Sequence, residues 1–346
     1  MTSETDDTVR LKGPRKGERS GFARFWPYAA GVAALAVVAC AGAWWTLRPE
    51  PVAPPPQEAV LAPRPTARAP AGPAEVAVAR PLPPLATESE LLADAPDRLA
   101  VYRFAPQPAV LVLHFPTLGE QAQALNRLAA LIEKQGFPHD RVLPHAELDS
   151  RIRATGGTPE TFYYGHDYRS ADVVRFFSLA SELNPEEDRL QRLVTELGWH
   201  EHGALGALIS LVRESAPAGL DATARAAILR HELSHGIYFT DPAYVEYCHR
   251  FWREAMTANE RARFTAYLEK EGYDPALEDL IVNETQAYLI HTRDPRYFRA
   301  SDVGLGQARA DELRRIFIEG MPPGWLRDVD SATLPAGPAL VPVRVP

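Results

Sequence analysis

Hydrophobic and polar positions divide the chain into stretches of different period. Phe25 to Leu47 (FWPYAAGVAALAVVACAGAWWTL) is apolar and carries no charge, about the length that crosses a bilayer as a helix. Between Pro49 and Pro84 the period disappears. Twelve prolines and no aromatic residue there predict an extended spacer that cannot offset its ordering entropy by burial. Pattern returns near Thr87. Leu99 to Phe104 and Ala109 to Phe115 read as strands, and Glu120 to Lys134 repeats Leu125, Leu128, Ala129, Leu131 and Ile132 at helical spacing before Gly136-Phe137-Pro138 stops it.

A short strand is expected around Val142 and another over Thr161 to Tyr164, while Ala171 to Leu183 fits either period. In Gly203 to Val212 (GALGALISLV), Ala207 to Val212 is a candidate sheet-edge strand or an ordinary buried segment. Asp221 caps a helix whose first turns, Ala222 to Leu229, are strong helix formers, with Leu229, Leu233 and Ile237 along one face. Three more helices follow: one opened by Asp241 and Pro242, one from Thr257 to about Glu271, and one from Asp274 and Pro275 to about His291. The expected class is α+β, with a mixed-sheet lobe followed by a helical lobe. The boundaries are a basic tail 1–24, an apolar helix 25–47, a Pro/Ala-rich linker 48–86, a folded domain 87–335 and a tail 336–346.

Charge orients these pieces. Arg10, Lys12, Arg15, Lys16, Arg19 and Arg24 face the single acid Glu18 ahead of the apolar run, so the positive-inside rule places the N-terminus in the cytoplasm and the domain outside the inner membrane. Trp26, Tyr28, Trp44 and Trp45 suit the two interfaces. The run is longer than a cleaved signal, which favours an uncleaved signal anchor; Val37 to Cys40 also resembles a lipid-attachment box. Residues 87–346 hold 27 Lys+Arg and 38 Asp+Glu, a net charge of −11. Without a basic stripe, that argues against nucleic acid as a partner. Cys40 and Cys248 are the only cysteines, so the exported part has no internal disulfide, and Cys248 reads as a small buried apolar residue.

Candidate chemistry centres on His231-Glu232-Leu233-Ser234-His235. Side chains four apart share a helix face, so His231 and His235 can offer two imidazole nitrogens to one zinc ion, with Glu232 one step round the helix as general base. A catalytic zinc site usually takes three protein ligands and a water. Glu284, 49 residues after His235 on a separate predicted helix, is the first choice for the third. Asp241 is its rival, at the last position of the spacing HExxHxxGxxH/D, although Tyr238 stands where that pattern has glycine and a helix cap also explains Asp241. His200-Glu201-His202, between Gly198 and Gly203, reads as a polar loop.

HELSH followed by Asn283-Glu284 on a helix resembles the gluzincin branch of zinc metallopeptidases. The resemblance implies that family's two-lobed zincin-like fold, Zn2+ held by His231, His235 and Glu284, and peptide hydrolysis with Glu232 as general base. Many members carry Asp four residues after the ligand glutamate; here Tyr288 stands there. Tyr297 and His291 are the preferred oxyanion stabilisers, with Tyr288, Arg293, Tyr164 and His166 as further candidates. The expected activity is that of a membrane-anchored zinc peptidase acting on a peptide or protein in the envelope. The alternatives are a zinc hydrolase of another amide, such as a cell-wall cross-link, and a non-catalytic envelope module on the same scaffold.

Overall fold

The computed structural model describes residues 82–332 apart from 202, 203, 216 and 217. The predicted membrane helix at 25–47, nearly all of the linker and the tail at 336–346 lie outside the described residues. No helix among the described residues is long and apolar enough to cross a membrane. The architecture is mixed α/β. Strands β1 (Leu85–Ala86), β2 (Ala100–Phe104), β3 (Gln107–Phe115), β4 (Asp167–Arg169) and β5 (Ala207–Val212) form one sheet in the order β1-β2-β3-β5-β4. β1 already lies inside the segment that the sequence reads as linker. β2 and β3 form an antiparallel hairpin, β3 runs parallel to β5, and β4 closes the edge antiparallel to β5.

Twelve α-helices surround the sheet among the described residues. The first six are α1 (Glu88–Ala93), α2 (Leu118–Ile132), α3 (His145–Ala154), α4 (Pro159–Phe162), α5 (Ser170–Leu179) and α6 (Pro185–Glu196). The rest are α7 (Ala222–Thr240), α8 (Pro242–Glu254), α9 (Ala258–Glu271), α10 (Glu278–Gln286), α11 (Gln307–Gly320) and α12 (Trp325–Ser331). A π-helical turn, Ala287–His291, continues α10. Helices cover both faces of the sheet, which is why its central strands are almost wholly apolar. On one face Leu113 and Phe115 meet Ala124 of α2 and Leu190 of α6. On the other, α7 lies so close that a Cβ on Gly236 would stand 2.7 Å from Val110 Cγ1 and 3.4 Å from Ile209 Cγ2.

α7 begins where Asp221 Oδ1 accepts the Ala224 amide at 2.7 Å. One turn later Arg225, 3% exposed, donates to the carbonyls of Val212, Leu92 and Asp94 at 2.9, 2.9 and 3.2 Å. It also meets His114 Nε2 at 3.2 Å, while His114 Nδ1 lies 3.1 Å from Asp94 Oδ2. An arginine has only donors, so Nε2 accepts and the ring proton sits on Nδ1. This clamp joins the start of α7 to α1 and the ends of β3 and β5. Burial, reinforced by Arg225, pushes the His114 pKa down to about 4.

Several expectations need correction. Thr161–Tyr164 is not a strand: Pro159 supplies the first turn and Thr158 with Thr161 forms a capping box, so the segment opens as α4. No strand forms around Val142, which lies in an irregular stretch before α3. Ala207–Val212 is a strand but not an edge; it lies between β3 and β4 and every residue is buried. The ambiguous 171–183 segment resolves as helix through Leu179. The third late helix starts at Glu278 rather than Asp274, because Asp274 spends its carboxylate on a local turn, accepting from Ala276 N at 2.9 Å. Cys248 is buried as expected, and burial raises its thiol pKa well above the usual value.

Two outcomes follow from these contacts. Gly236→Ala is expected to destabilise the protein by about 1–3 kcal/mol through overpacking, despite the better helix former; adding Val110→Ala should return part of the loss in urea titrations. His114 resists a proton in the folded state that the unfolded chain accepts near pH 6.5, so its contribution is complete above that value and falls as the pH drops toward 4. The fall should reach about 3 kcal/mol. His114→Gln, which can still accept from Arg225 and donate to Asp94, should flatten the slope of unfolding free energy against pH in that window.

Candidate metal centre

The middle of α7 carries the cluster that the sequence pattern predicts. His231 and His235 are one helical turn apart, and their Nε2 atoms lie 3.0 Å from each other. Glu284 reaches them from α10, with Oε2 3.8 Å from His231 Nε2 and Oε1 3.7 Å from His235 Nε2. All three residues are 0% exposed. Ligands about 2.0–2.2 Å from one tetrahedral zinc ion stand about 3.3–3.5 Å apart, and the three observed separations bracket that range. Two imidazole nitrogens and a carboxylate suit zinc by donor chemistry as well. This buried group could therefore hold a metal ion.

The partners behind the ligands set their protonation. Thr292 Oγ1 donates to the Ala287 carbonyl at 2.9 Å, so the oxygen is left to accept from His231 Nδ1 at 2.8 Å. That places the His231 proton on Nδ1 and turns the Nε2 lone pair toward Glu284. Tyr288 stands edge-on to the same ring with centroids 4.8 Å apart. The group behind His231 is thus a hydroxyl, eight residues after Glu284 in sequence. Behind His235, Asp167 of β4 has Oδ1 3.7 Å from Nδ1, and Phe239 stacks on the ring.

Glu232 shares the helix with the two histidines and is likewise 0% exposed. One of its carboxylate oxygens lies within 4.8 Å of a His235 nitrogen and an Asp167 oxygen. Gly165 covers it from the segment that leads into β4: a Cβ there would come within 2.7 Å of Glu232 Cδ and 2.9 Å of Cγ. Glu133, at the end of α2, completes the surroundings, its carboxylate grouped with those of Asp167 and Glu284. Four carboxylates and two imidazoles thus share one interior region, where a divalent cation would relieve the repulsion of the acids.

A cleft of ≈250 Å³ borders this region and shares Glu133, Asp167 and Asn283 with its surroundings. Arg169 of β4 crosses it to an ion pair with Asp279 of α10 and lies 5.0 Å from the Phe239 ring centroid. The cleft is therefore walled by the edge strand on one side and the helix of Glu284 on the other.

The remaining candidates fall elsewhere. Asp241 is used as a cap, ending α7 and accepting from Ala243 N at 2.9 Å and Tyr244 N at 3.3 Å, and it is in none of the metal-competent groups among the described residues. His291 has Nδ1 2.7 Å from Asp330 Oδ2 and Nε2 2.9 Å from the Tyr244 hydroxyl, so both ring nitrogens are engaged away from the ligand atoms. Tyr297 is 2% exposed. Burial lifts its hydroxyl pKa above the ordinary phenol range, with Tyr164 among the neighbours that add to the shift, and keeps it a donor. Arg293 is exposed. His166 is buried against Ser210 of β5, Nδ1 to Oγ 3.2 Å. His200 lies in an exposed turn beside Thr195.

Sequence reasoning missed Asp167, Glu133, Gly165 and Thr292. Of these only Thr292 carried a signal, a hydroxyl just beyond the helix of Glu284. Comparison with known proteins finds no matching family model, no matching curated protein and no matching solved structure.

The close approach of Gly165 to Glu232 yields a direct test. Gly165→Ala should lower unfolding free energy by about 1–3 kcal/mol, and in the Gly165→Ala/Glu232→Ala double variant most of that loss should vanish, because the carboxylate that the new methyl displaces is gone.

Proposed function

We propose that the chain is a zinc-dependent peptidase of gluzincin type, held outside the inner membrane by the apolar segment 25–47 and acting on a peptide or protein of the envelope. The observation that carries this reading is the convergence of His231, His235 and Glu284 with Glu232 on the same helix. A structural zinc site has no need of a general base and usually has a fourth protein ligand. The mixed sheet ahead of α7 and the helices after it are in keeping with the two-lobed zincin arrangement.

Bound zinc supplies a Lewis acid and lowers the pKa of water toward neutrality. The chain does the rest. Glu232 takes the proton from the attacking water and returns it to the leaving nitrogen. Gly165, having no Cβ, leaves the space that the Glu232 side chain occupies. Tyr297, kept protonated by burial, is the donor we assign to the developing oxyanion; the engagement of His291 with Asp330 and Tyr244 favours Tyr297 over it. The outer side of β4 is a sheet edge beside the cleft, where an extended substrate can add main-chain hydrogen bonds.

The complete burial of all four central residues favours a second reading, a non-catalytic envelope module that keeps the metal for stability. Wild type and three variants separate the two. Wild type and Glu232→Gln should each hold one zinc per chain by elemental analysis, as should Asp241→Ala, whereas Glu284→Ala should lose it. Against a fluorogenic peptide library, Glu232→Gln should reduce kcat by about a hundred- to ten-thousand-fold. Zinc binding with no cleavage by wild type would favour the module. A folded wild type that takes up no zinc overturns both.

A further inference from the structure

The two helices that supply the ligands are joined by a buried amide. Gln286 follows Glu284 by two residues on α10, and its Nε2 donates to Ser234 Oγ at 3.2 Å. Ser234 lies between Glu232 and His235 in HELSH, and its hydroxyl proton is already given to the His231 carbonyl at 2.7 Å. An oxygen that has spent its proton can only accept, so the donor end of the amide must face it. The same Nε2 meets Asn283 Oδ1 at 3.2 Å, and Oε1 accepts from the Tyr244 hydroxyl at 2.8 Å. Tyr244 is met in turn by His291 Nε2 at 2.9 Å, and His291 Nδ1 by Asp330 of α12 at 2.7 Å.

The result is one buried polar relay from His291 on the π turn, through Tyr244 of α8 and Gln286 of α10, to the backbone of the first histidine. Gln286 and Tyr244 are each 2% exposed and Ser234 is 0% exposed. From Tyr244 through Gln286 and Ser234 to the His231 carbonyl each donor has one acceptor open to it, so the relay holds α10 at one rotation and height against α7. That relation decides whether the Glu284 carboxylate stands at a ligand's distance from His231 and His235.

Resting on the zinc-site reading above, we infer that Gln286 is a positioning residue for the metal centre, setting Glu284 against the two histidines through Ser234. It touches neither metal nor substrate. Supporting groups of this kind govern metal affinity because an ion held by misaligned ligands loses one of them.

The test is a double-mutant cycle on zinc affinity in the full-length protein, measured by competition with a chromophoric chelator, with circular dichroism confirming that each variant is folded. Gln286→Ala and Ser234→Ala should each weaken binding by about 10–100-fold. The double variant should bind no more weakly than the poorer single one, since both remove the same link. Ser234→Thr, which keeps the hydroxyl, should retain most of the affinity. If Gln286→Ala does not fold, Tyr244→Phe keeps the ring and removes only the hydroxyl that orients the amide, and it too must lose affinity. Single variants that bind zinc like wild type, or losses that multiply in the double variant, overturn the inference and leave the peptidase reading standing. A folded wild type that binds no zinc overturns both.

Discussion

Carboxylates and imidazoles removed from water need a proton, a cation or a hydrogen-bond donor to replace the solvent they lose. Around α7 the chain places Glu133, Asp167, Glu232, His231, His235 and Glu284 in one region, none more than 3% exposed. An arrangement this costly persists only when the surrounding fold holds it. The sheet meets that demand from below, where Gly236 lets α7 settle onto Val110 and Ile209. The Arg225 clamp holds the start of the helix, Asp241 ends it, and the amide of Gln286 ties it to α10.

Much of the centre was legible in the sequence because it is carried by a helix, and helical spacing puts chemistry into register within five residues. His231, Glu232 and His235 share one turn, and Asp221 announces where the turn count begins. Glu284 was legible for the same reason, as a glutamate on a second predicted helix. The β4 side was not. A three-residue strand has no period to detect, and Asp167 and Gly165 lie in FYYGHDYR, where composition alone suggests several roles. Their meaning comes from pairing with β5, which brings residues 42 positions away into contact at Asp167 and Ile209.

The errors have physical causes of the same kind. Thr161 to Tyr164 is rich in strand-forming residues, but Pro159 and the Thr158 cap act first and start a helix. Ala207 to Val212 fits a sheet edge or a buried segment by sequence, and its lack of polar alternation, the mark of a strand covered on both faces, is the feature that the fold follows. Glu133 sits at a helix end that sequence reading treats as a boundary; tertiary packing turns that boundary inward.

The π turn between Glu284 and Thr292 bears on how this protein can vary. Thr292 N reaches back five residues to the Ala287 carbonyl at 2.9 Å, so the turn carries one residue more than an α-helix would use there. That residue sets the angular phase of everything after it. Deleting any one position between 287 and 291 would rotate the following side chains by about 100°, swinging Thr292 away from His231 and His291 away from Tyr244 and Asp330 together. Point changes along α10 alter one contact at a time, whereas a change of length there resets several at once. Divergence in this segment should therefore proceed by substitution at constant length, and the spacing from Glu284 to Thr292 is a stricter signature of this fold than the identity of the residues between them.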